Sequence, residues 1–366
     1  MEIGIVGLPR SGKTTIFNAV TRGTAQVAGY GSGQRKPNIG IAKVQDPRLD
    51  ALAVVFTPKR LIPAEVTYVD IPAAPDGLGN TRVISGEYLN HLQATDALLV
   101  VTRAFEDPSV PHVSDSIDPL RDLETMLYEL AFADLDILDR RLARIAEGSK
   151  GAKAPEREAM LKERALIERL KKELEAGTAI RDQHLGRDEV RSLEGFQFLS
   201  AKPLMVVANV AESQLSDAAS LESQVASAVE GPRIRAVVLC GKLEMELAQM
   251  DPPEEQEFRE SLGLGESGLD KMIALSHAVM DQVTFFTGNA NEVRAWTVDR
   301  GTAASNAAGK IHSDFERGFI RSEVIGYDDL TQCGSIAHAR SRGLLRQEGR
   351  TYVVREGDVM NVLFNV

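Results

Sequence analysis

Gly7-Leu8-Pro9-Arg10-Ser11-Gly12-Lys13-Thr14 matches the pattern G-x-x-x-x-G-K-[ST] and directly follows a short apolar run, Ile3 to Val6. Chemistry accounts for each fixed position. The glycines let the backbone curl so that successive N–H groups converge on one phosphate chain, and the helix expected from Thr14 adds its positive N-terminal end. Lys13 is expected to reach the β/γ-phosphates and the Thr14 hydroxyl to ligate Mg²⁺. Leu8, Pro9, Arg10, Ser11 and Thr15 complete the loop and its first helical turn. Arg10 adds a fixed charge that could reach phosphate oxygens and act catalytically beside Lys13. The pattern points to a bound nucleoside triphosphate.

Two further segments suit the same chemistry. The apolar run Val66–Val69 ends in Asp70, and a strand-end aspartate in P-loop proteins holds the metal, usually through water. Thr14 and Asp70 are therefore the expected metal pair. Leu204–Ala208 delivers Asn209-Val210-Ala211-Glu212, one strand before Leu239-Cys240-Gly241-Lys242. Many GTPases carry Asn-Lys-x-Asp at the first of these places. Asn209, Val210, Glu212, Cys240, Gly241 and Lys242 are read as the base-recognition loops. The aspartate of that motif accepts both N1–H and N2–H₂ of guanine. Glu212 is one methylene longer, which misplaces the carboxylate, whereas Asn209 could meet N6 and N7 of adenine; ATP is expected over GTP.

Elements that position these residues are legible from hydrophobic period. Runs at Ile3–Val6, Ile39–Val44, Val66–Val69, Ala97–Thr102, Leu204–Ala208 and Arg235–Leu239 read as strands buried on both faces, hence a mainly parallel α/β sheet. Between the fourth and fifth, Leu120, Leu123, Leu127, Leu130, Leu138, Leu142 and Ile145 recur at spacings of three and four. Met160, Ile167, Leu170 and Leu174 do the same. The polar stretch Gly148–Pro155 between them makes an antiparallel helical hairpin, its first helix (Pro119–Glu147) about 40 Å long. A helix is expected at Leu269–Met280. From Val283 onward the strands Thr284–Thr287, Val293–Val298, Tyr352–Arg355 and Val359–Val366, with one helix over Ala303–Glu316, suit a small mixed sheet wrapped on a helix. The expected domains are 1–118 with 197–282, an inserted coiled-coil hairpin at 119–196, and a C-terminal module at 283–366.

At 366 residues the chain exceeds one ordinary core. Its 43% hydrophobic and 26% charged composition is that of a globular protein. No apolar run approaches bilayer length, and Met1-Glu2 leads straight into a strand, so neither a membrane span nor a leader is expected. Cys240 and Cys333 stand alone, which fits a reducing cytoplasm. The net charge of −11 argues against indiscriminate nucleic-acid binding and no DNA partner is expected. Lys150, Lys153 and Arg157 nevertheless cluster at the hairpin tip, and Arg340, Arg342 and Arg346 lie close together in the C-terminal module.

The chain resembles the Obg-like ATPase family (the YchF type), within the translation-factor-related P-loop GTPases, along essentially its whole length. The resemblance rests on Gly7–Thr14, Lys36-Pro37-Asn38-Ile39-Gly40, Asp46-Pro47-Arg48-Leu49-Asp50, Val69-Asp70-Ile71, Gly77-Leu78-Gly79-Asn80, Ala201–Glu212, Ala295-Trp296-Thr297-Val298, Gly309-Lys310-Ile311-His312 and Gly357-Asp358-Val359-Met360. It implies a P-loop G domain, an inserted helical coiled coil and a C-terminal β-grasp module of the TGS type. It also implies slow Mg²⁺-dependent ATP hydrolysis and association with the ribosome or its RNA, for which the hairpin tip and the C-terminal module are the expected contacts. The chain departs from the family where Arg10-Ser11 replace Asn-Val, where Ile71-Pro72-Ala73-Ala74 lacks the usual glycine, and at Gln34, where a threonine is usual. Arg10 would then stand in for a potassium ion that relatives ligate through the asparagine. These departures bear on hydrolysis. A true GTPase and a nucleotide-binding scaffold with negligible turnover are the alternatives.

Overall fold

The computed structural model describes residues 1–25, 37–71, 84, 86–112, 114 and 116–365. Gln34, Ala73 and Ala74 lie outside them. In chain order the first elements are β1 (Glu2–Val6), α1 (Lys13–Thr21), β2 (Asn38–Lys43), α2 (Pro47–Phe56), β3 (Arg60–Ile62), β4 (Glu65–Asp70), α3 (Gly86–Ala94) and β5 (Ala97–Arg103). Next come α4 (Pro119–Gly148), α5 (Ala154–Glu175), α6 (Arg187–Leu193), β6 (Leu204–Asn209), α7 (Ala218–Ala228), β7 (Ile234–Leu239), α8 (Gly241–Leu247), α9 (Pro252–Ser261) and α10 (Gly268–Met280). The chain closes with β8 (Gln282–Gly288), β9 (Glu292–Asp299), α11 (Ala304–Ile311), α12 (Ser313–Arg317), β10 (Phe319–Gly326), α13 (Tyr327–Cys333), α14 (Ile336–Ser341), β11 (Arg346–Glu348) and β12 (Asp358–Phe364). Among the described residues no helix is long and apolar enough to cross a membrane.

Two compact units result: Met1–Ile41 with Thr67–Leu275, and Ala42–Val66 with Ser276–Val366. The first holds a six-stranded sheet in the order β2-β4-β1-β5-β6-β7, parallel from β4 through β7. Every residue of β5 and β6 is buried, as the near-continuous apolar runs require. At the edge, β2 breaks the expectation of two covered faces: Ile39 and Ile41, which share one face, are exposed, while Ala42 on the other face is buried. Parallel pairing brings the C-terminal ends of β1, β4, β5 and β6 to one edge, where ligands bind in such sheets.

The helical hairpin divides its seam between two cores. Leu123, Met126 and Leu130 of α4 pack with Val100, Leu204 and Val206 of the sheet, whereas Leu138 and Ile145 pack with Ile167, Leu170 and Leu174 of α5. Arg141–Glu163 and Lys171–Asp139 ion pairs cross the hairpin in the antiparallel sense. The 14 residues of α4 beyond Asp134 span about 20 Å, so half of the anticipated 40 Å is packed on the sheet rather than projecting. Asp134 marks the division. Its two carboxylate oxygens accept the N–H groups of Leu199 and Ser200 at 2.8 and 2.7 Å, and burial pushes its carboxyl up to about 6 against the pull of those amides and Arg181. The unfolded carboxyl loses its proton near 3.8. Between the two values the unfolded chain binds fewer protons, so stability falls as pH rises. Comparing urea unfolding of the protein with Asp134→Asn should give a difference that drops by about 2 kcal/mol between pH 4 and 6.5; a flat difference contradicts this.

The second unit holds a sheet in the order β11-β10-β12-β8-β9-β3. β8 and β9 form an antiparallel hairpin, and β12 lies parallel to β8 and antiparallel to β10. Ala304, Ala307 and Ala308 of α11 seat that helix on Val283, Phe285, Val298, Val324 and Met360. Segment 42–66 joins this unit although the sequence gives it to the G-domain stretch, because β3 pairs in parallel with β9. Two local expectations fail. Tyr352–Arg355 is no strand and has only a single bridge, Ala303 to Val353; the buried Asp358 accepts from the Tyr352 hydroxyl and the Arg355 N–H and folds the segment into a turn. The helix over Ala303–Glu316 breaks at His312, which is extended and whose Nδ1 accepts the Asp314 N–H to start α12. β10 escapes the sequence reading because a bulge between Phe319 and Arg321 disrupts its alternation.

Candidate nucleotide-binding site

The loop between β1 and α1 has the shape that its sequence demands. Gly12 sits at φ 93°, and a Cβ there would lie 2.2 Å from Asn209 Nδ2, so glycine is obligatory on both counts. Leu8 turns into the core below the loop while Pro9 and Arg10 face outward. Lys13 is buried and its Nζ donates to the carbonyls of Gly7 and Leu8 at 3.0 Å each. Burial pushes its ammonium down to about 8 against the attraction of Asp70. A buried cation hydrogen-bonded to two neutral carbonyls is poised for phosphate oxygens. The buried Ser11 hydroxyl has no hydrogen-bond partner among the described residues.

The two expected metal residues meet. Thr14 Oγ1 donates to Asp70 Oδ2 at 2.8 Å, and Asn38 Nδ2 donates to the same oxygen at 3.2 Å. Hard oxygen donors, one hydroxyl and one carboxylate, fit Mg²⁺, which takes few protein ligands and completes its octahedron with water and phosphate. Thr14 and Asp70 would hold that ion.

The second expected cluster also converges, with a different division of labour. β6 and β7 pair with Asn209 opposite Leu239, and the Val210 N–H donates to the Leu239 carbonyl. Asn209 is buried and spans two loops: Nδ2 donates to the Ser11 carbonyl at 3.1 Å, and Oδ1 accepts the Gly241 N–H at 3.0 Å. Its amide is thus a strut between the phosphate loop and the start of α8. Cys240 is buried, its thiol pushed up by burial, while Glu212 and Lys242 are exposed beside it. Arg10 Nη1 donates to the Pro111 carbonyl at 2.8 Å.

The segment beyond β5 belongs to the site as well, although its sequence did not announce it. The half-buried Phe105 ring lies against Gly12, and Arg103 stacks on it with 4.5 Å from Cζ to the ring centroid. Gln214, two residues beyond Glu212, donates to the Ala104 carbonyl at 2.9 Å and accepts the Ala211 N–H. An aromatic just past a buried strand that neighbours the P-loop strand was the available signal.

A parallel sheet whose first loop cradles a buried lysine, with a threonine–aspartate pair beside it and an asparagine strut behind it, defines a P-loop nucleotide-binding protein of the G-domain class. Two family models agree with that class: one described as "50S ribosome-binding GTPase" matches residues 2–136, and the YchF-GTPase C-terminal model, described as a protein of unknown function, matches 282–365. The Ribosome-binding ATPase YchF of Bacillus subtilis is 38% identical over 368 residues, covering 100% of both chains. That of Haemophilus influenzae is 39% identical over 366 residues, covering 100% of this chain and 99% of its own. The solved Schizosaccharomyces pombe YchF GTPase superposes with a TM-score of 0.82 at 29% identity, over 99% of this chain and 97% of that one. The chain belongs to the YchF family.

Proposed function

We propose that this protein is a Mg²⁺-dependent ATPase of slow intrinsic turnover that works on the ribosome. The observation that carries the nucleotide half is the convergence of Lys13, the Thr14–Asp70 pair and the Asn209 strut at one end of one parallel sheet. Lys13 and the loop amides neutralise the phosphates. Mg²⁺ held at Thr14 and Asp70 would offset charge on the β- and γ-oxygens. Phe105, Cys240, Gly241 and Lys242 would wall the base. A slow rate is expected from Ile71-Pro72-Ala73-Ala74, which offers no glutamine after Asp70 to orient water.

Ribosome association rests on the relatives' names together with the exposed Lys150, Lys153 and Arg157 at the hairpin turn, a charge cluster suited to a phosphate backbone. In the C-terminal module Arg340 pairs with Glu323, and Arg346 with Glu348 and Asp358. Those arginines are committed within the module, so the weight of the proposal falls on the hairpin turn.

Competition titration should show ATP bound ~10- to 100-fold more tightly than GTP, the scale of one charged hydrogen-bond pair. Glu212→Asp should move the ratio toward GTP. The same preparation should release phosphate from ATP more slowly than about 1 s⁻¹ and co-sediment with ribosomes in a salt-dependent way. Tighter GTP binding overturns the nucleotide assignment; absence of co-sedimentation at low salt overturns the ribosomal one.

A further inference from the structure

We infer that Arg10 is a positioning residue, which fastens the segment after β5 to the phosphate loop and so retains bound nucleotide. The inference rests on the assignment of the nucleotide site and goes beyond it. Residues 104–112 form an irregular stretch held by its carbonyls. Gln214 Nε2 donates to Ala104 O at 2.9 Å, Arg103 Nε to Phe105 O at 3.1 Å, Arg103 Nη2 to Asp107 O at 3.4 Å and Arg10 Nη1 to Pro111 O at 2.8 Å. At the far end His112 Nε2 lies 2.7 Å from Asp122 Oδ2 on α4, and both side chains are buried. Of these ties, only the Arg10 bond starts in the phosphate loop.

Two features set that bond apart from an incidental surface contact. Arg10 holds a left-handed backbone, φ 65°, which costs an L-residue free energy and persists where surrounding contacts offset it. Arg103, whose guanidinium is buried with Nη1 unpartnered among the described residues, lies within electrostatic reach of Arg10. Two cations share one region and both engage backbone carbonyls of the same segment. That segment carries Phe105, whose ring rests on Gly12. Fastening Pro111 to the phosphate loop therefore closes the segment over the nucleotide site from its second end.

The test uses the full chain. Amide hydrogen exchange of the nucleotide-free protein should show Ser109, Val110 and His112 exchanging about 10-fold faster in Arg10→Asn, with α1 unchanged; asparagine tolerates the left-handed backbone but cannot reach Pro111. Dissociation of a fluorescent ADP analogue should accelerate by about the same factor, the scale of one charge-assisted hydrogen bond. Arg10→Lys, which keeps a donor, should recover part of both effects. Unchanged exchange in the segment overturns the inference. So does loss of turnover with exchange and ADP dissociation unaltered, since the side chain would then act on the phosphates. If the unsubstituted protein binds neither ADP nor ATP, the nucleotide reading fails while the exchange comparison still decides the role of Arg10.

Discussion

Lys13→Ala is expected to weaken ATP binding by ~100- to 1000-fold while leaving the nucleotide-free protein folded. The lysine is buried with its Nζ against two carbonyls of its own loop, so much of the cost of desolvating it is already built into the free protein. That cost shows in an ammonium pushed down to about 8. Phosphate supplies the counter-charge that the carbonyls lack. Charged hydrogen bonds contribute about 1.5–3 kcal/mol each, and losing two near the β- and γ-oxygens, each at the low end of its range, corresponds to that loss of affinity. Stability moves less, because removing a poorly compensated buried cation offsets the two carbonyls left without a donor. Titration with a fluorescent ATP analogue, alongside urea unfolding of the free variant, separates the effects. Affinity within tenfold of the unsubstituted protein would place the phosphates elsewhere.

Asn209→Ala should be nearly as severe by another route. Its amide is the strut between Ser11 and Gly241. Truncation leaves a buried carbonyl and a buried N–H without partners, at about 1–3 kcal/mol each. A loss of ~2–4 kcal/mol should lower the melting temperature by about 5–10 °C for a unit of this size. With the strut gone the loops separate, and ATP and GTP affinities should fall together by ~10- to 100-fold. The ratio of the two affinities is the diagnostic. A strut leaves it unchanged, whereas a residue that reads the base edge would shift it, so a changed ratio returns Asn209 to base recognition.

What was legible in the sequence was contiguous or periodic. The phosphate loop is a run of eight residues, so its backbone shape is set by its own glycines, and the structure places Lys13 and Thr14 where the run requires. Strands β1, β4, β5, β6 and β7 announced themselves as apolar runs because both faces of a parallel sheet are covered. Their order made the meeting of Thr14 with Asp70 foreseeable, since β1 and β4 are neighbours. Periodicity likewise gave the hairpin helices, but it could not say that α4 lays its first half on the sheet core, because a leucine seam looks the same against a sheet as against a helix.

Tertiary structure alone decided the rest, wherever a polar side chain had several possible partners at short range. Asn209 ties two loops together because Ser11 and Gly241 lie within reach, and those residues are 198 and 32 positions away. Arg10 is 101 positions from the carbonyl that it holds, and nothing in its own neighbourhood of sequence names Pro111. Segment 42–66 joins β9 because three residues of β3 find a sheet edge there, a pairing too short to mark the chain. The sequence by itself determined the phosphate loop and the strands, because local backbone geometry and burial on both faces leave a visible pattern. Which polar group each loop side chain meets is set by distances across the fold, and no local pattern encodes those.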